Sequence, residues 1–187
     1  RDRLCGLEEV IHQLQAEVRA WREDRCGHVA AGMRMWKRGR LQAVFGGTRP
    51  VQFRDDPGTA DRLATARGCG LLIWAGKEPA GFQPKAPCLR VEDGFLRSRG
   101  LGAELVPPLS LVTDDRGIYY DPTRPSRLEA LIATPLTDTQ RSRTEALLAR
   151  LRSEGLSKYN LGGAVPTLPD GHRILVPGQV EDDASIR

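Results

Sequence analysis

Apolar residues recur at spacings of three and four near the start of the chain. Leu4, Leu7, Val10, Ile11, Leu14, Val18 and Trp21 share one stripe, which predicts an amphipathic helix over most of residues 3 to 23. The texture then changes. Val29-Ala30-Ala31-Gly32-Met33 reads as a short buried strand, after which Trp36, Lys37 and Arg38 open a helix amid a basic cluster of Arg34, Lys37, Arg38 and Arg40. Val51 to Phe53 reads as a strand, and Thr59 to Arg67 as a helix with Thr59 at its N-cap and Gly68 past its end. Leu71 to Trp74 reads as a buried strand. Pro79 to Pro87 is a loop, and Cys88 to Val91 a further strand that runs into Glu92-Asp93-Gly94. Strand, helix and strand at this pitch indicate a parallel α/β layer.

The second half is less regular. Leu109 to Thr113 and Ile118 to Tyr120 are β-like runs joined by Asp114-Asp115-Arg116-Gly117, a joint rich in turn formers that predicts a β-hairpin. Ser126-Arg127-Leu128-Glu129 matches a capping box. A longer helix follows from Asp138 to Glu154, with Leu147, Leu148 and Leu151 expected on its inner face and Gly155 as its stop. Pro166 to Gly171 reads as a linker and Arg173 to Val176 as a last strand. The chain opens on arginine and stops at Ala184-Ser185-Ile186-Arg187 without a closing element, which reads as a piece of something longer.

Composition narrows the classes. With 40% hydrophobic and 28% charged residues over 187 positions, the sequence is that of a globular protein with a real core. Its 28 Lys plus Arg against 24 Asp plus Glu leave a net charge of only +4, with acids interleaved among bases, so no nucleic-acid partner is expected. No apolar run approaches the roughly 20 residues of a membrane-spanning helix. Cys5, Cys26, Cys69 and Cys88 form no C-x-x-C pair, and His12, His28 and His172 are scattered. The cysteines are expected reduced, in a cytoplasmic protein, and no metal or other cofactor is expected.

Two segments follow strands and so lie where open α/β sheets gather ligands. The first, Glu92-Asp93-Gly94-Phe95-Leu96-Arg97-Ser98-Arg99-Gly100-Leu101-Gly102, offers two carboxylates, two guanidinium groups, a hydroxyl and three glycines. Carboxylates can serve as nucleophile or base, and arginines suit a phosphate or an acidic sugar. An ordinary turn with a solvated arginine face would carry the same residues. The glycines do not match G-x-G-x-x-G, so no dinucleotide fingerprint is present. The second segment is Pro177 to Asp183.

The string Val91-Glu-Asp-Gly-Phe-Leu-Arg-Ser-Arg-Gly-Leu-Gly102 closely resembles the capsule polysaccharide export and biosynthesis proteins of the KpsC/LipB type. So do Pro108-Leu-Ser-Leu-Val112, Gly117-Ile-Tyr-Tyr-Asp121 and Ser157-Lys-Tyr-Asn160. Ile174 to Ile186 looks like the C-terminal of that family's two tandem modules, and Met35-Trp36-Lys37-Arg38 is similar to a motif near that module's start. The motifs keep the family's order over residues 29 to 187.

The resemblance implies a retaining β-Kdo glycosyltransferase of the two-lobed GT-B type, each lobe α/β with a Rossmann-like parallel sheet. It divides this chain into a helical arm (1–25), an acceptor-side lobe (26–165), and a linker with the first strand of a truncated donor-binding lobe (166–187). The implied donor is CMP-Kdo. The acceptor is an anionic glycolipid, a Kdo linker growing on lyso-phosphatidylglycerol, with peripheral contact to the inner membrane and the capsule export machinery. Retention by two inversions needs an enzyme nucleophile. Asp93 is assigned that role, with Glu92 as base or positioning charge. Arg97, Ser98 and Arg99 are expected to meet the Kdo carboxylate or the acidic acceptor, as the planar guanidinium matches carboxylate geometry. Ser110, Lys158 and Asn160 complete the substrate-binding set, and Gln179, Glu181 and Asp182 lie on the nucleotide side. Tyr119 and Tyr120 are expected to pack. The alternative is a non-catalytic module that docks a glycolipid or a partner in capsule export; the fragment alone is expected to be inactive.

Overall fold

The computed structural model describes residues 6–163 and 167–178. The elements alternate from the start: α1 (Leu7–Asp24), β1 (His28–Ala31), α2 (Met35–Phe45), β2 (Gln52–Arg54), α3 (Pro57–Arg67) and β3 (Gly70–Trp74). After a short 3₁₀ turn at Ala75–Lys77 come β4 (Cys88–Asp93), a second 3₁₀ turn at Gly102–Glu104, β5 (Leu111–Asp114), α4 (Arg127–Ile132) and α5 (Asp138–Ser153). The strands are ordered β2-β1-β3-β4-β5 in one sheet. β1 pairs in parallel with both β2 and β3, Val29 standing opposite Gln52 on one side and Leu71 on the other. The α/β class and the mostly parallel sheet expected from the sequence are therefore present. The chain resolves into two compact units, Arg1–Arg90 and Val91–Arg187.

In the first unit β1 is the buried central strand, all four of its residues inaccessible, as a strand with a parallel neighbour on each edge must be. Val29, Ala31 and Leu71 meet Ala60, Ala64, Cys69 and Ala86 in one apolar cluster, so α3 covers the sheet through small residues that allow close approach. Helix α3 starts differently from expectation. Asp56, not Thr59, is the N-cap: its carboxylate accepts from the Thr59 amide at 2.6 Å, and Pro57 stands at N1, where a missing N–H costs nothing. Gly68 ends the helix in the left-handed region at φ 62°. The loop before β4 is fastened to α3 by Asp61, whose buried Oδ1 accepts from the Lys85 and Ala86 amides at 2.9 Å each. On β4 itself, Arg90 grips Glu78 with two bonds of 2.6 and 2.7 Å, both side chains buried. Cys26, Cys69 and Cys88 are free thiols.

The basic cluster around Trp36 does not form one solvated face. Lys37 is buried, its ammonium 3.3 Å from the ring centroid of Trp74 and 5.0 Å from that of Trp36. Arg38 donates to Asp55 and to the Met33 carbonyl. Arg34 stays exposed.

In the second unit the expected hairpin is absent: Leu111–Asp114 is a strand, but Ile118–Tyr120 is not. The cause is Asp114. Its buried carboxylate accepts from the Arg116 and Gly117 amides through Oδ1, at 2.8 and 2.9 Å, and from the Arg127 amide through Oδ2 at 2.7 Å. Those amides are taken by a side chain, so no ladder back to β5 can use them. Ser126 and Glu129 close the capping box at the start of α4, as the spacing predicts. Helix α5 is capped by Thr137 and has no buried residue, so Leu147 and Leu148 do not line an inner face but stand 53% and 43% exposed. Residues 173–176, read as a strand, are irregular, with Ile174, Leu175 and Val176 exposed.

Candidate functional site

The site lies in the second unit, where β4 ends in Glu92 and Asp93. Successive strand residues face opposite sides, so the two carboxylates diverge and take different partners. Glu92 accepts from the Asp93 amide through Oε1 at 2.9 Å and from the Tyr120 hydroxyl through Oε2 at 3.2 Å. Asp93 Oδ2 accepts from Arg97 Nε at 2.6 Å.

Arg97 is the most deeply placed group of the site. Only 1% of it is exposed; its Nη1 donates to Ser98 Oγ at 2.8 Å, and that hydroxyl in turn donates to the Gly100 carbonyl at 2.7 Å. A buried guanidinium needs such acceptors, because desolvation without them is expensive. Arg99, two residues further on, is exposed. The turn between Asp93 and Arg97 requires glycine at 94: a Cβ there would stand 2.1 Å from Ser110 Oγ and 2.8 Å from the Ser110 carbonyl carbon. The Gly94 amide instead donates to the Ser110 carbonyl at 2.9 Å, and the Ser110 hydroxyl donates to the Leu96 carbonyl at 2.6 Å.

The segment 157–160 closes the loop from another direction. The Lys158 carbonyl accepts from the Arg97 and Ser98 amides, and the Tyr159 carbonyl from the Gly100 amide. Asn160, in the left-handed region at φ 49°, donates from Nδ2 to the Ser98 carbonyl at 3.0 Å while its Oδ1 accepts from the Ser157 amide. The Lys158 side chain is exposed. Ser98, Ser110 and Asn160 thus hold the loop, while Lys158 and Arg99 present cations beside it. Gln179, Glu181 and Asp182 lie outside the described residues.

Tyr120 is the site residue that sequence reasoning misses. Its composition and place suggest packing, yet its hydroxyl reaches Glu92. Burial, then the Glu92 charge and the hydrogen bond to it, push that hydroxyl's pKa well above the ordinary tyrosine value, so it stays a donor. Tyr119 stacks edge-on against it at 5.3 Å and meets Phe95 at 5.0 Å; Phe95 is 53% exposed. The signal available in the sequence is Gly117-Ile-Tyr-Tyr-Asp121 itself, one of the motifs that carry the resemblance.

The strand end thus carries two carboxylates with separate partners, Glu92 on Tyr120 and Asp93 on the buried Arg97, beside an exposed cationic stretch. Residues 77–160, which hold nearly all of the site just described, match the model of the family described as capsule polysaccharide biosynthesis protein.

The chain is 43% identical over 190 residues to the capsule polysaccharide modification protein LipA of Neisseria meningitidis serogroup A, covering 97% of this chain and 27% of that protein. It is 55% identical over 172 residues to the lipopolysaccharide-processing protein LpsZ of Rhizobium meliloti, covering 83% of this chain and 39% of LpsZ. The chain therefore spans well under half the length of these curated relatives. Among solved structures it is similar to the β-Kdo 2,7 transferase of Thermosulfurimonas dismutans KpsC. There the TM-score is 0.60 and the identity 32%, over 84% of this chain and 50% of that one. The β-Kdo 2,4 transferase of the same KpsC matches with a TM-score of 0.55 and 34% identity, over 74% of this chain and 43% of that one. No helix among the described residues is long and apolar enough to cross a membrane.

Proposed function

We propose that this chain is the acceptor-side, nucleophile-bearing lobe of a retaining β-Kdo transferase of capsule polysaccharide biosynthesis. The reading rests on one observation: Asp93 stands at the end of β4 with its carboxylate fixed by a buried guanidinium, inside the segment that matches the family. The donor is CMP-Kdo, held mainly by a second lobe, and the acceptor is a Kdo-bearing glycolipid on lyso-phosphatidylglycerol. An Asp93 oxygen forms a bond to the anomeric carbon of Kdo as the bond to CMP breaks, the electron pair leaving with the CMP phosphate. The acceptor hydroxyl then attacks that carbon from the opposite face, gives its proton to water and frees the Asp93 carboxylate, while Glu92, held by Tyr120, acts as a positioning charge. Two inversions give net retention.

Arg97 and Ser98, both buried, serve this chemistry by holding Asp93 and the loop. Arg99 and the Lys158 ammonium, both exposed, are the groups for an acidic sugar or acceptor phosphate, and Gln179, Glu181 and Asp182 serve the nucleotide side. The work takes place on the cytoplasmic face of the inner membrane.

The test uses Asp93→Asn in a protein that also carries the donor-holding lobe. Incubation with CMP-Kdo followed by intact and peptide mass spectrometry should show a Kdo adduct on the Asp93 peptide of the parent and none in the variant, with transfer abolished and circular dichroism unchanged. Full transfer by Asp93→Asn refutes the assignment. A parent with neither adduct nor turnover on any acceptor favours a docking role in capsule export.

A further inference from the structure

Helix α1 has no buried residue, and its apolar stripe lies open: Leu7 is 71% exposed, Leu14 53% and Trp21 55%, with Ile11 and Val18 at 44% and 46%. In proteins most helical stability comes from packing an amphipathic face, and this face is uncovered among the described residues. The stripe has a definite grammar. Leu7, Ile11, Leu14, Val18 and Trp21 alternate spacings of four and three, the a and d positions of successive heptads, and the seam stops at Arg25, the next a position. Within it, Ile11 and Val18 occupy a, and Leu7, Leu14 and the terminal Trp21 occupy d. Branched residues at a with leucine at d select the parallel two-stranded coiled coil.

The flanks agree. Glu17 falls at g and Arg22 at the following e, so in a parallel pair Glu17 of one helix faces Arg22 of the other, twice by symmetry, while Val10 and Gln15 make the uncharged pair one heptad earlier. In the single helix Glu17 accepts from Gln13 at 2.7 Å, a local and exposed contact that it can exchange. A membrane surface fits less well. Five acids (Glu8, Glu9, Glu17, Glu23, Asp24) against Arg19 and Arg22 give α1 a net charge of 2 − 5 = −3, opposite to what an anionic bilayer attracts.

We infer that α1 is an interaction surface for a second copy of this chain, the two helices forming a parallel coiled coil along the Leu7–Trp21 seam. Sedimentation equilibrium of the full chain should give twice the chain mass, and Ile11→Asp should return it to the single-chain mass with its sheet signal intact. Glu17→Lys and Arg22→Glu each place like charges across the seam and should dissociate far more readily than the parent. Mixing the two variants sets opposite charges against each other at both places, and should restore the dimer. Under mild oxidation Leu14→Cys in a Cys5→Ser, Cys26→Ser background should give a disulfide-linked dimer absent from that background, because d positions face each other only in the parallel, in-register pair. A single-chain mass at every concentration overturns the inference, as does a dimer that Ile11→Asp leaves intact. A dimer in which Leu14→Cys fails to cross-link overturns the parallel arrangement. A monomer that co-sediments with phosphatidylglycerol vesicles, and stops doing so in Ile11→Asp, assigns the face to the membrane instead.

Discussion

The Asp114 carboxylate gives the sharpest stability prediction, because a single buried side chain completes three backbone amides. Oδ1 serves Arg116 and Gly117, and Oδ2 serves Arg127, the first residue of α4. Asp114→Asn keeps the shape and the Oδ1 acceptor but turns an N–H₂ toward the Arg127 amide, or, if flipped, toward the other two. At least one charge-assisted bond is lost and two donors are left facing each other. A bond to a charged group contributes about 1.5–3 kcal/mol, so the expected loss is roughly 2 kcal/mol. Asp114→Ala strands all three donors; at about 1–3 kcal/mol each, reduced where water enters the gap, the expected loss is about 3–5 kcal/mol. Urea unfolding followed by circular dichroism measures both in the full chain. The same turn carries Tyr119 and Tyr120, so both variants should also weaken the Tyr120 bond to Glu92. An Asp114→Asn chain that unfolds within about 0.5 kcal/mol of the parent, the range of ordinary surface changes, refutes the claim that this carboxylate, rather than a ladder, organises the turn.

Tyr120, whose pKa is raised by burial and by Glu92, binds its proton more tightly folded than unfolded. Its contribution is complete below the ordinary tyrosine value near 10 and is lost as pH rises above it, so unfolding free energy should fall in alkali, and Tyr120→Phe should flatten that fall. Absorbance at alkaline pH should show one tyrosine that ionises above the ordinary value. His28 shifts the other way: burial lowers its pKa, so the folded state keeps it neutral while the unfolded chain takes up the proton. Stability should be full above the ordinary value of 6.5 and decline as pH falls below it, and His28→Leu should lose that acid-side slope in urea titrations run across this range.

What is legible in the sequence is what neighbouring residues decide among themselves. The Ser126/Glu129 capping box and Gly68 need no distant partner, and the buried runs of β1 and β3 announce themselves by composition. Thr59 suits a cap by residue type, but the proline at 57 points one turn earlier, to Asp56. The hairpin fails because a turn-rich joint says where the chain bends, not which acceptor takes its amides; the Asp114 side chain outcompetes the strand. Ile174-Leu175-Val176 has strand composition, but a strand is made by its neighbour, and none pairs with it among the described residues. In the site, Glu92, Asp93 and Arg97 lie within one short stretch and are visible together. Tyr120 lies 28 positions from Glu92, and Asn160 lies 62 from Ser98. No periodicity reports contacts of that span, and only the resemblance marks those motifs as belonging together.

The contact from Asn160 also gives α5 a purpose. A helix with no buried residue adds little to a core, yet its capped start at Thr137 and its stop before Gly155 fix where the chain next arrives. It arrives at Ser157–Asn160, whose carbonyls and Asn160 amide fasten Arg97, Ser98 and Gly100. Arg97 in turn holds Asp93, and with 1% of it exposed it has little freedom to turn outward and meet a ligand. In the proposed transfer, a carboxylate aimed at one carbon atom benefits from a partner that is itself immobile, because each rotamer frozen beforehand is one less to freeze during the reaction. The exposed cations, Arg99 and the Lys158 ammonium, come from the two segments that meet at this rigid pair. The loop therefore divides its basic residues by burial: the inward guanidinium fixes Asp93, while Arg99 and Lys158 stand exposed.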